Sequence, residues 1–227
     1  MDETIILLHG ALGSSAQMKP LEKILEKDFK VINHNLPGHG LLGEESKFCI
    51  NIFMEDVASR IPTGEKVFVF GYSMGGYVAL KLGLEYPERI QGIITLGTQL
   101  KWNPEIAEKE CRMLNPETVK IKVPAFAEEL RKRHNNWENV MARTADLLRD
   151  IGNSPLQSSD YSNINTLVQL MVGDQDKMVS IEETVDAFRN IPGARLAVLP
   201  GTPHPFEKAD LELLQSLVKR FISSSGR

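Results

Sequence analysis

The chain has 227 residues, 42% of them hydrophobic, and a formal net charge of -4 from 26 Lys and Arg set against 30 Asp and Glu. That length and apolar content suit one domain with a sizeable core, or a core carrying an insertion, and about 70% of the unfolded surface is buried on folding at this size. A weakly acidic chain with no long basic run argues against nucleic acid as a partner, and no apolar stretch nears the ~20 residues that span a bilayer, so no membrane partner is expected either.

The chain enters a strand at once, without the basic and apolar regions of a signal peptide, and the expected location is cytoplasmic. Cys49 and Cys111 form neither a disulfide framework nor a metal spacing and read as small buried hydrophobes. No metal site is apparent.

In chain order, apolar runs of strand length alternate with helical patterns: a strand near 3–8, a helix over 16–27, a strand over 29–34, a helix over 46–60, a strand over 66–71, a helix over 75–86 and a strand over 90–96. Such alternation predicts an α/β fold with a mostly parallel sheet flanked by helices. The first strand, Ile5-Ile6-Leu7-Leu8, ends in His9-Gly10-Ala11-Leu12-Gly13-Ser14-Ser15, a Gly-flanked loop that exposes backbone N–H groups. The second leads into Asn35-Leu36-Pro37-Gly38-His39-Gly40, where His39 reads as structural. The third, Val67-Phe68-Val69-Phe70, runs into Gly71-Tyr72-Ser73-Met74-Gly75 and then a helix that is small and apolar near its start. Glycines at both ends of that pentapeptide let the backbone turn sharply and present the Ser73 hydroxyl above the sheet edge, placed to attack.

Between the strand ending near Gly97 and the one beginning near Thr166 lie roughly 70 residues, far more than the dozen or so a parallel crossover needs. Helix starts are predicted at Asn103-Pro104-Glu105, Asn115-Pro116-Glu117 and Asn136-Trp137-Glu138, with Asn as the capping residue; Pro124 divides the middle segment, and Gly152-Asn153-Ser154-Pro155 leads back. We therefore expect a small helical cap at 98–155 inserted into a core made of 1–97 and 156–227. The tail Ser223-Ser224-Ser225-Gly226-Arg227 is expected to be disordered.

A serine nucleophile needs a base, and two histidines follow it. His134, within Arg131-Lys132-Arg133-His134-Asn135-Asn136, reads as the solvated end of a helix, whereas His204 sits in Pro203-His204-Pro205, in a rigid loop after the strand-like Leu196-Ala197-Val198-Leu199. Carboxyl ends of parallel strands share one edge, so His204 and Ser73 can meet there. The acid that orients the imidazole should also follow a strand, and after Leu167-Val168-Gln169-Leu170-Met171-Val172 two aspartates compete, Asp174 and Asp176.

Taken together, the His-Gly loop, the Pro-Gly-His-Gly turn, the Gly-x-Ser-x-Gly elbow, the Gly-x-x-Asp turn and the terminal histidine loop resemble, in order, the α/β-hydrolase superfamily. The resemblance favours Asp176, giving a catalytic triad Ser73, Asp176, His204 and leaving Asp174 a structural role in the turn. It implies that the N–H groups of Ala11 and Met74 form the oxyanion hole, that the cap covers the nucleophile, and that Leu12, Tyr72, Trp102, Phe126, Trp137 and Met141 line the substrate pocket. Asn35 departs from the Asp usual in the family's turn and removes a charge there. The chain also starts directly at the strand before His9, without the extra hairpin of larger members, so a core of about six strands is expected. The implied activity is cofactor-free cleavage of a small ester or related acyl compound through an acyl-enzyme. Ser rather than Asp at the elbow argues against dehalogenases and epoxide hydrolases. Two alternative activities fit the same motifs. One is a C–C bond hydrolase or a lyase/synthase using the same triad, with Arg112, Arg131 or Arg143 binding a substrate carboxylate; the other is a small-molecule receptor without turnover.

Overall fold

The computed structural model describes residues 3–41 and 47–225. Its regular structure comprises the strands β1 (Thr4–Leu8), β2 (Lys30–Asn33), β3 (Val67–Tyr72), β4 (Ile90–Leu96), β5 (Leu167–Gly173) and β6 (Arg195–Leu199). Its α-helices are α1 (Ser15–Leu25), α2 (Ile50–Arg60), α3 (Met74–Glu85), α4 (Pro104–Cys111), α5 (Pro116–Lys122), α6 (Pro124–Arg133), α7 (Trp137–Asn153), α8 (Ser158–Ser162), α9 (Ile181–Asn190) and α10 (Leu211–Ser223).

The six strands form one sheet in the order β2-β1-β3-β4-β5-β6, and every neighbouring pair is parallel. A parallel sheet covered on both faces needs strands that are apolar throughout, since alternate side chains enter opposite layers. β1 has that form: Ile5 and Leu7 join the layer that α1 and α10 cover through Met18, Leu21 and Phe221, while Ile6 and Leu8 join the layer of α2 and α3 through Phe53 and Val78. The half-buried β2 and β6 close the two edges.

From β1 the chain steps outward to β2 and then returns to lay β3 on the other side of β1. This reversal opens a crevice between the carboxyl ends of β1 and β3, the place where open α/β sheets bind ligands. The His9–Leu12 loop and Ser73 follow those two strand ends directly.

The long excursion between β4 and β5 is helical, α4 to α8. Asn103, Asn115 and Asn136 each accept the backbone N–H of the residue three positions on, and Pro follows the first two at the position where a helix can spare an N–H. Pro124 opens α6 immediately after α5. No helix among the described residues is long and apolar enough to cross a membrane.

Two boundaries differ from expectation. The second helix begins at Ile50, after an extended Cys49, and its predicted start at Ser46 lies outside the described residues. The tail is ordered as far as Ser225, because the hydroxyls of Ser224 and Ser225 bond the last carbonyls of α10, including Phe221; Gly226 and Arg227 lie outside the described residues. Cys111 is buried with its thiol on the Ala145 carbonyl, whereas Cys49 is only half-buried.

Candidate active site

The turn after β3 places Ser73 at φ 51° and ψ -117°, in a region that side chains rarely adopt. It is held there by bonds on both sides: its N–H donates to the Leu96 carbonyl, and its own carbonyl accepts the Thr98 hydroxyl and the Gly76 N–H. The flanking glycines make room. A Cβ on Gly71 would lie 2.4 Å from the Gly75 backbone, and one on Gly75 would lie 2.5 Å from the Leu8 carbonyl oxygen. Strain of this kind costs about 1 to 3 kcal/mol and persists only where the surroundings over-determine it.

His204 and Asp176 meet across the ends of β5 and β6. The Asp176 Oδ2 accepts from the His204 Nδ1 at 2.8 Å, with the aspartate side chain 2% exposed and the imidazole 12%. The other aspartate oxygen accepts the N–H groups of Met178 and Val179 at 2.8 and 2.9 Å. Burial pushes the Asp176 carboxyl up, but the His204 bond and the Val179 and Met178 amides outweigh it and hold the group below the usual carboxylate range. The carboxylate therefore stays ionised at neutral pH and fixes the imidazole with its free nitrogen at Nε2. Tyr72, itself buried, donates its hydroxyl to the His204 carbonyl at 3.0 Å and lays its ring against the imidazole.

Gly97, directly after β4, supports this pair, a role that the sequence reading does not assign to it. At φ 59° a Cβ there would come within 3.2 Å of the Asp176 Oδ2 and 3.4 Å of the His204 Nδ1. A Gly directly after a buried strand was the available signal. Asp174 differs from expectation. It is exposed and its carboxylate makes no hydrogen bond among the described residues, because Asp176 itself takes the turn's amides.

Ser73, Met74, Ala11, Leu12, Tyr72 and His204 open onto one cavity of about 760 Å³. The Ser73 hydroxyl makes no hydrogen bond with the described residues, so serine and imidazole share the cavity without a direct bond, and such contacts commonly tighten only with substrate. Neither the Ala11 nor the Met74 N–H has a backbone acceptor among the described residues.

Of the residues expected to line the pocket, Leu12, Tyr72, Trp102, Phe126 and Met141 do so. Trp137 does not: it is buried among the helices of the excursion, with Lys120 and Arg131 over its ring. Arg112, Arg131 and Arg143 also lie off the cavity; Arg131 pairs with Glu128 and Arg143 with Asp146. Among the described residues the guanidinium that reaches the cavity is that of Arg133, beside a rim carrying Glu110, Glu129, Glu207 and Lys208.

His134 is the largest departure from the sequence expectation. Only 1% exposed, it accepts the Gly40 N–H at Nδ1 (2.9 Å) and donates from Nε2 to the Leu12 carbonyl (3.0 Å). Its ring meets His39, which stacks on Phe48 and tilts against His9. Asn35, in the place of an acid, accepts the Ser15 N–H at the start of α1. Among the described residues no group of three or more His, Cys, Asp or Glu is placed to hold a metal ion.

These imidazoles give the fold a pH dependence of definite sign. Burial lowers the pKa of His39 and of His34 from 6.5 to about 4, aided at His34 by the Arg60 charge and opposed there by Asp56; burial likewise lowers His9 and His134. At His39 and His34 the unfolded chain takes up a proton near 6.5 and the folded one only near 4, so their contribution to stability is complete above about pH 6.5 and lost as pH falls toward 4. The melting temperature is expected to fall steadily across that window; a flat profile there would contradict the assignment.

A protein-family model described as "Serine aminopeptidase, S33" matches residues 1–208. Over 94 residues the chain is 30% identical to the pimeloyl-[acyl-carrier protein] methyl ester esterase of Nitrosomonas europaea, a match that covers 41% of this chain and 36% of that protein. It is 24% identical to the putative 2-succinyl-6-hydroxy-2,4-cyclohexadiene-1-carboxylate synthase of Bacillus subtilis, over 98% of this chain and 91% of that one. The chain thus spans less than half the length of some curated relatives that it matches, and nearly all of others. Among solved structures, a thermophilic esterase from Thermogutta terrifontis superposes with a TM-score of 0.81 at 20% identity, over 99% of this chain and 91% of that chain, a likeness of fold.

Proposed function

The chain belongs to the serine aminopeptidase, S33 family of α/β-fold hydrolases, and from that premise we propose that it is a cofactor-free serine hydrolase cleaving esters of small apolar acyl groups. The observation that carries the proposal is the 2.8 Å Asp176–His204 pair, which opens with Ser73 onto one largely apolar cavity. In this reading the His204 Nε2 takes the Ser73 proton as the Oγ attacks the ester carbonyl. The negative charge on the tetrahedral oxygen is met by the N–H groups of Ala11 and Met74, each such donor contributing about 3 to 4 kcal/mol. Collapse expels the alcohol, protonated by the imidazolium, and leaves an acyl-serine; water, deprotonated by the same imidazole, then releases the acid and restores Ser73. Asp176 stabilises the imidazolium in both halves.

Residues 98–155 act in this account as a cap over the 1–97 and 156–227 core, supplying Trp102, Phe126 and Met141 as the acyl wall. An ester without charge fits better than a dicarboxylate. The rim carries three carboxylates, Glu110, Glu129 and Glu207, against Arg133 and Lys208, and Arg133 is already bonded to the Leu12 carbonyl. That argues against the C–C hydrolase or synthase alternative, whose substrates need a carboxylate partner.

The test is a panel of p-nitrophenyl esters from two to ten acyl carbons, run beside carboxylate-bearing C–C substrates. Ester turnover that depends on chain length is expected, and turnover confined to the C–C substrates would overturn the proposal. Removing part of the acyl wall should also move the preference: Phe126→Ala is expected to raise kcat/KM for the longer esters relative to the shorter by about 10-fold, the scale of a methylene or two in an apolar pocket. An unchanged chain-length profile would show that this wall does not bound the acyl site.

A further inference from the structure

The Gly10-Ala11-Leu12 stretch is held from both sides of the Ala11 N–H. On one side the Gly10 carbonyl, which belongs to the same peptide unit as that N–H, accepts the His9 Nδ1 at 2.8 Å and the Gly13 N–H at 3.0 Å. The His9 Nε2 accepts the Leu36 N–H, which leaves the proton on Nδ1. On the other side the contacts come from the middle of the helical excursion, at the end of α6. The Leu12 carbonyl accepts both the Arg133 Nη1 at 2.9 Å and the His134 Nε2 at 3.0 Å. Because His134 accepts the Gly40 N–H at Nδ1, its tautomer is set as the donor that Leu12 requires.

Leu12 needs such restraint. Its φ is 58°, and apart from Ser73 it is the one residue other than glycine with positive φ among the described residues. A leucine there is strained and reverts to ordinary backbone unless its neighbours forbid it. Two charged or buried donors converging on one carbonyl supply that constraint, and they come from residues 121 and 122 positions away in the chain. Among the described residues the one other polar partner of Arg133 is the Glu207 carboxylate at 4.0 Å.

We propose that Arg133 and His134 are positioning residues that lock the Leu12 carbonyl and so aim the Ala11 N–H at the tetrahedral oxygen. This rests on the serine hydrolase reading above. The helical excursion then serves the chemistry as well as the pocket wall, since the end of α6 completes the oxyanion loop. A donor displaced by a fraction of an ångström loses contact with the transition state while ground-state binding is little changed.

The experiment uses the full chain, p-nitrophenyl butyrate as substrate, benzeneboronic acid as a tetrahedral adduct former and butyrate as a planar product analogue. Arg133→Met keeps an unbranched stem and removes the donor. It is expected to lower kcat and benzeneboronic acid affinity by about 10-fold each, with KM and butyrate affinity within about twofold of the parent. His134→Leu should add to this loss, and His134→Gln, whose amide can still donate to Leu12, should recover part of it. If Arg133→Met leaves kcat and boronate affinity within twofold, or if KM and butyrate affinity move in parallel with them, Arg133 is a spectator or a substrate contact and the proposal is overturned. Fluorophosphonate labelling of the parent separates the two layers. A parent that is not labelled at Ser73 brings down the underlying hydrolase reading, whereas a labelled parent with unaffected variants brings down this proposal alone.

Discussion

Ser73→Ala is expected to leave a folded protein whose kcat is lower by about 10⁴ to 10⁶. The size follows from the site acting as a unit: without an Oγ no acyl-enzyme forms, and the His204–Asp176 pair has no proton to take. The fold should survive because the Ser73 hydroxyl bonds none of the described residues, while the backbone that shapes the turn is held through Leu96, Thr98 and Gly76. Ser73→Gly sharpens the test. Glycine adopts φ 51° without strain, so this variant should be equally inactive yet melt at or above the parent temperature. Turnover near the parent level in either variant would remove Ser73 as nucleophile.

The second large effect separates two aspartates that stand two residues apart. Asp176→Asn is expected to lower kcat by up to about 10⁴ near neutral pH, since an amide favours the wrong imidazole tautomer and cannot stabilise the imidazolium. Its carbonyl oxygen can still accept the Met178 and Val179 amides, so the turn and the melting temperature should persist. Asp174→Asn should alter neither activity nor stability appreciably, because that side chain is exposed and unbonded among the described residues. Measuring kcat and Tm for both decides it; a larger catalytic loss at Asp174 would overturn the assignment.

Features carried by short-range chemistry are legible in the sequence. The apolar strands, the Asn-capped helix starts at 103, 115 and 136, the break at Pro124 and the Gly-bounded turn at Ser73 each follow from a few neighbouring residues, and all are present. What misled were side chains whose surroundings come from afar. His134 stands among Arg131, Lys132, Arg133 and Asn135, a polar setting that reads as solvent, yet its partners are Leu12 and Gly40, 122 and 94 residues away. Trp137 illustrates the limit of periodicity, which identifies an apolar face of α7 but not whether a given position faces the cavity or the next helix. Asp174 and Asp176 share one turn, and only the fold distinguishes the exposed carboxylate from the one on His204.

The central claim is that Ser73 is an activated nucleophile, and covalent labelling addresses it most directly. The parent protein, incubated with a fluorophosphonate at neutral pH, digested and sequenced by mass spectrometry, is expected to carry a single adduct on Ser73. Labelling should be lost in Ser73→Ala and strongly slowed in His204→Ala. An adduct on another residue, or none while the protein turns over esters, would contradict the account.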